Sequence, residues 1–137
     1  MSAQKYRKLF IAGRAPLSDD DYAARLNVDA PMSRWVILTR RALGRACGIS
    51  PECIYPDDNP AYLVKMFVGW SPDEDTLSLA LDEELGAFAA IELPQFFSYR
   101  CFWLKRPGPR TVGEWTLATA ERLSNAALDQ KGVTAHA

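Results

Sequence analysis

Between Gly69 and Gly86 the chain reads GWSPDEDTLSLALDEELG, a segment that marks both ends of a helix and its buried side. Ser71 is followed by Pro72 and, three residues on, by Glu74, which together make a capping serine, a proline at the first helical position and the acidic half of a capping box. Leu77, Leu81 and Leu85 recur at every fourth position with Ala80 among them, which is one apolar stripe. Gly86 offers the left-handed residue that ends a helix. The spacing predicts a continuous helix over 72–85 with an anionic solvent side carrying Asp73, Glu74, Asp75, Asp82, Glu83 and Glu84. The leucine stripe must be covered by other amphipathic elements, so the chain is expected to be mainly α-helical.

A length of 137 residues suits one packed core, and 48% apolar with 24% charged residues is ordinary for a globular protein. No apolar run approaches the roughly 20 residues of a membrane helix. The opening MSAQKYRKLFIAG is too short in apolar residues for a secretory signal, so the expected location is cytoplasmic, without membrane contact. Cys47, Cys53 and Cys101 are odd in number and fit no metal-ligand spacing, which reads as reduced thiols. His136 is the one histidine, so metal and triad chemistry have little to work with and no metal is expected. The net charge of −1 hides an uneven distribution: residues 1–48 carry 9 basic and 4 acidic side chains, 49–93 carry 1 and 10, and 94–137 carry 6 and 3. An acidic middle of this size draws cationic partners, or simply solvates one face.

Residues 1–17 read as an arm closed by Pro16, and Ser18 before Asp19, Asp20 and Asp21 caps a short helix to about Leu26. A long helix from about Arg34 to Cys47 follows Pro31 and Ser33, with Trp35, Leu38, Thr39, Ala42 and Ala46 on one side and Gly48 as its stop. Arg34, Arg41 and Arg45 lie on its other side. With Arg40 they suggest nucleic-acid contact, against which stands the favoured reading, that they solvate the helix or pair with its acidic neighbour. Pro51, Pro56 and Pro60 make Ile49–Trp70 a long structured loop anchored by Ile54, Tyr55, Leu63, Met66 and Phe67, with one helical turn after Asn59-Pro60.

After Gly86, the alternating Phe97, Tyr99, Cys101 and Trp103 fit a short strand or hairpin piece around Tyr99 to Lys105, and a helical turn after Leu93-Pro94 fits equally well. Pro107, Gly108 and Pro109 end this insertion. Thr111 with Glu114 is a second capping box, and Trp115, Ala118, Leu123 and Ala126 or Ala127 carry a last helix to about Leu128. From Gln130 the chain reads as a loose tail. The expected organisation is an N-terminal arm and short helix (1–33), a helical domain (34–128) and a flexible tail (129–137). Trp35, Trp103 and Trp115 are expected in the core. Trp70 with Tyr62 and Phe67 is expected to form an exposed apolar contact patch.

Three pieces stand in order: a helix ending in GRACGISPECIYPDDN, a helix ending in ALDEELG, and a last helix opening with TVGEW. Together they resemble the acyl carrier protein family over roughly residues 34–128. Counting back from Glu83-Glu84-Leu85-Gly86 puts Ser71 at that family's attachment serine and Gly69 at its glycine. Ile54-Tyr55-Pro56-Asp57 falls on the start of its long loop, and Thr111-Val112-Gly113 on the opening of its last helix. Trp70 stands where the family carries an aspartate, Pro72 where it carries a hydrophobic residue, and FFSYRCFWLK belongs to an insertion of about ten residues. The resemblance implies a three- or four-helix bundle of the carrier type with an extra N-terminal helix and an irregular aromatic insertion.

It further implies a 4'-phosphopantetheine arm on Ser71, placed there by a phosphopantetheinyl transferase and holding an acyl thioester cargo. Partner enzymes with basic docking patches would engage the acidic helix through Trp70, Asp73, Glu74, Asp75, Asp82 and Glu83. The free amides of a helix N-terminus would stabilise the phosphodiester. A plain capping role for Ser71, worth about 1 kcal/mol, needs none of this chemistry. In that alternative the chain is an unmodified carrier-fold module that binds partners. Neither Asp57 with Asp58 nor Glu83 with Glu84 sits in a sequence context that would tune an acid–base pair, so a non-enzymatic function is expected. Cys47 and Cys53 read as small hydrophobes.

Overall fold

The computed structural model describes residues 1–68, 74–89, 91–96, 99–101, 104–106 and 108–135. Among them are six α-helices: α1 (Ala3–Ile11), α2 (Asp19–Arg25), α3 (Ala30–Cys47), α4 (Pro60–Val64), α5 (Glu74–Leu85) and α6 (Val112–Ala135). A 3-10 turn spans Pro51–Cys53, and two three-residue strands, β1 (Tyr99–Cys101) and β2 (Leu104–Arg106), pair antiparallel with Arg100 opposite Lys105. The protein is mainly helical, and no helix among the described residues is long and apolar enough to cross a membrane.

The central element is α3, against which α2, α5 and α6 all pack. Its buried arc is broad: Val36, Thr39, Arg40, Ala42, Leu43, Gly44, Ala46 and Cys47 are all buried. Such an arc suits a helix covered from several directions rather than one lying on a surface. Leu77, Ala80 and Leu81 of α5 and Val112, Trp115 and Leu123 of α6 meet it in one apolar cluster with Ile54, Leu63, Met66, Phe67 and Phe96. A second cluster joins Leu17, Tyr22 and Ala23 to Val36 of α3 and Ala120 of α6.

Several helix ends sit where local chemistry dictates. Ser18 Oγ accepts from the Asp21 amide at 3.1 Å at the start of α2, and Asn59 Oδ1 accepts from the Ala61 amide at 3.0 Å at the start of α4. At α6, Thr111 Oγ1 accepts from the Glu114 amide at 3.2 Å while the Glu114 carboxylate reaches back to the Arg110 amide at 2.9 Å. Gly48 and Gly86 end α3 and α5 in the left-handed region, at φ 70° and 69°.

The structure departs from the sequence reading at both termini and at the first boundary. The arm is a helix: Ser2 Oγ accepts from the Lys5 amide, and Tyr6 and Phe10, one helical turn apart, rest on the main cluster. The division at residue 33 falls inside α3, which starts at Ala30 with Asp29 as its cap, Oδ1 accepting from Met32 at 2.9 Å. Residues 1–33 are therefore part of the common core, through Leu17, Tyr22 and Ala23. Where a tail was expected from Gln130, α6 runs on to Ala135: no proline interrupts the stretch, and extending a formed helix needs no new nucleus.

Candidate functional site

The candidate site is the outer side of α5 and its approaches. Leu77, Ala80 and Leu81 turn inward and are almost fully buried, with Leu85 half-buried beside them. By helical spacing this leaves Asp75, Ser78, Leu79, Asp82 and Glu83 on the opposite face. Leu79 stands among these groups with 61% of its surface exposed. Ser71, Trp70 and Asp73, with Gly69 and Pro72, lie outside the described residues, and Glu74 is the first residue of α5.

The C-terminal half of α5 is tied down. Arg45 of α3 reaches across to Glu84 Oε1 through Nη2 at 2.8 Å and through Nε at 3.1 Å, and to Glu83 Oε2 through Nη1 at 3.2 Å. Of the two readings of the basic residues, solvation or pairing with the acidic neighbour, Arg45 shows the second. The two carboxylates hold the Arg45 guanidinium more firmly protonated than usual, first through its hydrogen bond to Glu84. Arg45 and Glu83 are about half exposed and Glu84 is less so, so solvent screens these pairs and they hold the helix only weakly. Asp82 is committed locally: its Oδ1 accepts from the Ala89 amide at 2.8 Å and its carbonyl from the Gly86 amide at 2.9 Å. Of the expected contact anions among the described residues, Asp75 and Glu83 are exposed and Asp82 is half-buried, and all three interact within the chain.

Of the expected patch of Trp70, Tyr62 and Phe67, Trp70 lies outside the described residues and Phe67 is buried. Its ring packs 5.4 Å from Phe96, which in turn meets Trp115 edge-on at 5.1 Å. The Trp115 indole donates to the Pro94 carbonyl at 3.0 Å, which satisfies its one polar atom. Tyr62 and Val68 remain exposed. Trp35 is half-buried rather than fully enclosed, and Trp103 lies outside the described residues.

Two of the segments on which the family resemblance rests meet in space. The Val112 amide donates to the Asp58 carbonyl at 2.8 Å and the Gly113 amide to the Pro56 carbonyl at 2.8 Å, so the opening of α6 is laid on the PDD turn. Asp58 itself accepts from Arg14 and from the Tyr55 amide, both at 2.8 Å. It is thus a structural anchor.

The four arginines of α3 do not form one outward row, because Arg40 points inward. Arg40 is fully buried, donating to the carbonyls of Leu17 at 2.7 Å and Ile54 at 2.9 Å and pairing with Asp19 at 3.2 Å. Arg41 shares Asp19, and Arg45 is held by Glu83 and Glu84. The sequence did carry a signal for Arg40: Val36, Arg40, Leu43 and Cys47 follow one another at helical spacing on the inner arc.

Cys47 is buried, with its Sγ 3.7 Å from the Leu63 carbonyl, and burial pushes its thiol well above the ordinary value. It packs as a small hydrophobe. Among the described residues no group of three or more histidine, cysteine, aspartate or glutamate side chains is placed to hold a metal ion. A shallow cavity of about 170 Å³ opens beyond the end of α5, lined by Trp35, Leu85, Phe88, Ile91 and Leu123. Compared with known proteins, the chain matches no family model, no curated protein and no solved structure.

Proposed function

We propose that this protein is a carrier-like module that holds an acyl thioester on a 4'-phosphopantetheine arm at Ser71 and docks to its partner enzymes through the outer face of α5. The observation that carries the reading is that face itself, where an exposed Leu79 lies among Asp75, Asp82 and Glu83 on a helix whose apolar side is sealed against α3. An apolar anchor inside an anionic surround suits a partner that presents Lys and Arg around a hydrophobic pocket: charge steers the approach and fixes register, and the leucine supplies buried area. The hydrogen bonds between the opening of α6 and the PDD turn add support, because they join two of the segments that gave the resemblance. The chain's own residues catalyse no step in this reading. Ser71 provides a hydroxyl, and the transferase and partner enzymes provide the chemistry.

A second reading has its own observation. Arg45 already occupies Glu83 and Glu84, and an exposed clasp of this kind can open to admit a partner's cation whether or not Ser71 is modified. The chain would then be an unmodified interaction module of the same shape. Coexpression with a broad-specificity phosphopantetheinyl transferase separates the two. Intact mass with peptide mapping is expected to show one phosphopantetheine on the peptide containing Ser71, absent from Ser71→Ala. An unmodified wild-type chain removes the carrier reading and leaves the interaction module.

A further inference from the structure

Among the described residues Phe88 is the most exposed large apolar side chain, with 84% of its surface in solvent. The turn that carries it is fixed by hydrogen bonds. Asp82 accepts from three amides around it: its carbonyl from Gly86 at 2.9 Å and Ala87 at 3.3 Å, and its Oδ1 from Ala89 at 2.8 Å. The Ile91 amide donates to the Ala89 carbonyl at 2.7 Å, and Arg122 of α6 donates to the Glu92 carbonyl. A ring presented on a backbone already in place loses little entropy when a partner buries it.

The cavity beyond the end of α5 opens beside this ring, which shares its wall with Trp35, Leu85, Ile91 and Leu123. The residues that line it are all apolar. Its volume of about 170 Å³ suits one aromatic ring, since an apolar cavity of roughly 150 Å³ accommodates benzene. A projecting aromatic and a ring-sized apolar hole therefore stand side by side on one patch.

The residues next to this lining carry both signs of charge. Arg34 lies 4.7 Å from the centre of the Trp35 ring and Arg122 precedes Leu123, while Glu84 precedes Leu85 and Glu92 follows Ile91. A rim of one sign would repel its own copy. A mixed rim lets cations of one copy face anions of the other, which the outer face of α5, with Asp75, Asp82 and Glu83, would not.

We infer that this patch is the interface of a homodimer, in which a two-fold axis sets each Phe88 into the cavity of the other copy. Two identical patches meet across such an axis, so a knob beside its own hole is self-complementary. The two Phe88 rings then come together near the axis, where aromatic pairs prefer offset or edge-on packing. The inference is independent of whether Ser71 carries an arm.

The test is sedimentation velocity on the full-length chain from about 1 to 500 µM. The wild type is expected to pass from monomer to dimer over this range and to stop there, because an isologous contact closes on itself. Phe88→Asp, a change at an exposed position, is expected to weaken association at least tenfold. Two further variants separate knob from hole: Phe88→Ala removes the ring and keeps the cavity, and Ala126→Leu fills the cavity and keeps the ring. Each alone is expected to associate at least tenfold more weakly than wild type. An equimolar mixture of the two is expected to associate more tightly than either, because the mixed pair keeps one ring in one cavity. A wild type that stays monomeric throughout or grows beyond the dimer, a dimer unaffected by Phe88→Asp, or a mixture no tighter than its components would each overturn the inference. Circular dichroism melting establishes that the variants are folded, and Ala127→Leu takes the place of Ala126→Leu if the latter is not.

Discussion

The amide of Gly113 donates to the carbonyl of Pro56 at 2.8 Å, an approach that leaves little room for a side chain at 113. A Cβ there would come within 2.9 Å of Leu26 Cδ2, 3.1 Å of Pro56 Cβ and 3.1 Å of the Pro56 carbonyl oxygen. The leucine can swing aside; the backbone oxygen cannot.

Gly113→Ala is therefore expected to destabilise the protein by about 1 kcal/mol or more, even though alanine is the better helix former by about 1 kcal/mol. Urea unfolding gives the magnitude, and hydrogen exchange should show faster opening at Asp58 and Val112. Gly86→Ala is the contrast: nothing lies within 4 Å, so its cost, also about 1 kcal/mol, comes from the left-handed backbone alone and leaves the PDD turn untouched.

Arg40 is a charge used as a structural bolt. It ties the carbonyls of Leu17 and Ile54 to α3 and lies 4.5 Å from the centre of the Tyr22 ring. Burial lowers its pKa, and Asp19 works against that fall. Arg40→Ala strands two buried carbonyls and opens a cavity, so a loss of about 3 kcal/mol or more is expected from the urea midpoint. Arg41→Ala removes only an exposed pair to the same aspartate and is expected to cost under about 1 kcal/mol.

Tyr22 gives the protein an alkaline limit. Burial, partly offset by the hydrogen bond to Thr116 at 2.8 Å and by Arg40, pushes its phenol up to about 12 from 10.0. The folded state keeps the proton where the unfolded chain has lost it, so this stability is intact below pH 10 and is lost as pH rises from 10 toward 12. The loss amounts to about 2–3 kcal/mol. Tyr22→Phe should flatten that slope while costing about 1 kcal/mol at neutral pH for the lost hydrogen bond. A pH series of urea melts on both proteins measures it.

Features set by neighbours in sequence could be read directly. The leucine stripe of α5, the caps at Ser18, Asn59 and Thr111, and the stop at Gly86 each depend on residues within about one helical turn. Features set at a distance could not. Helix α1 is fastened by an arginine to carbonyls 40 and 59 residues away, and nothing within residues 1–17 announces that. Arg40 was read as part of a basic stripe because its residue type argued for solvent, although its spacing placed it inside; its partners come from the loops around Leu17 and Ile54. Phe67 was read both as an anchor of its loop and as part of an exposed patch; packing against Phe96, from the insertion, makes it an anchor. At the candidate site the anionic face was legible from the charges alone. The internal use of Glu83 by Arg45 and of Asp82 by Ala89 required the positions of α3 and of the turn after α5.

Because Tyr6 and Phe10 seat α1 on the main cluster while none of its side chains is fully enclosed, a fluorophore joined to Met1 would sit at the rim of the bundle. Its anisotropy would follow the seating of α1 without altering a residue in the core.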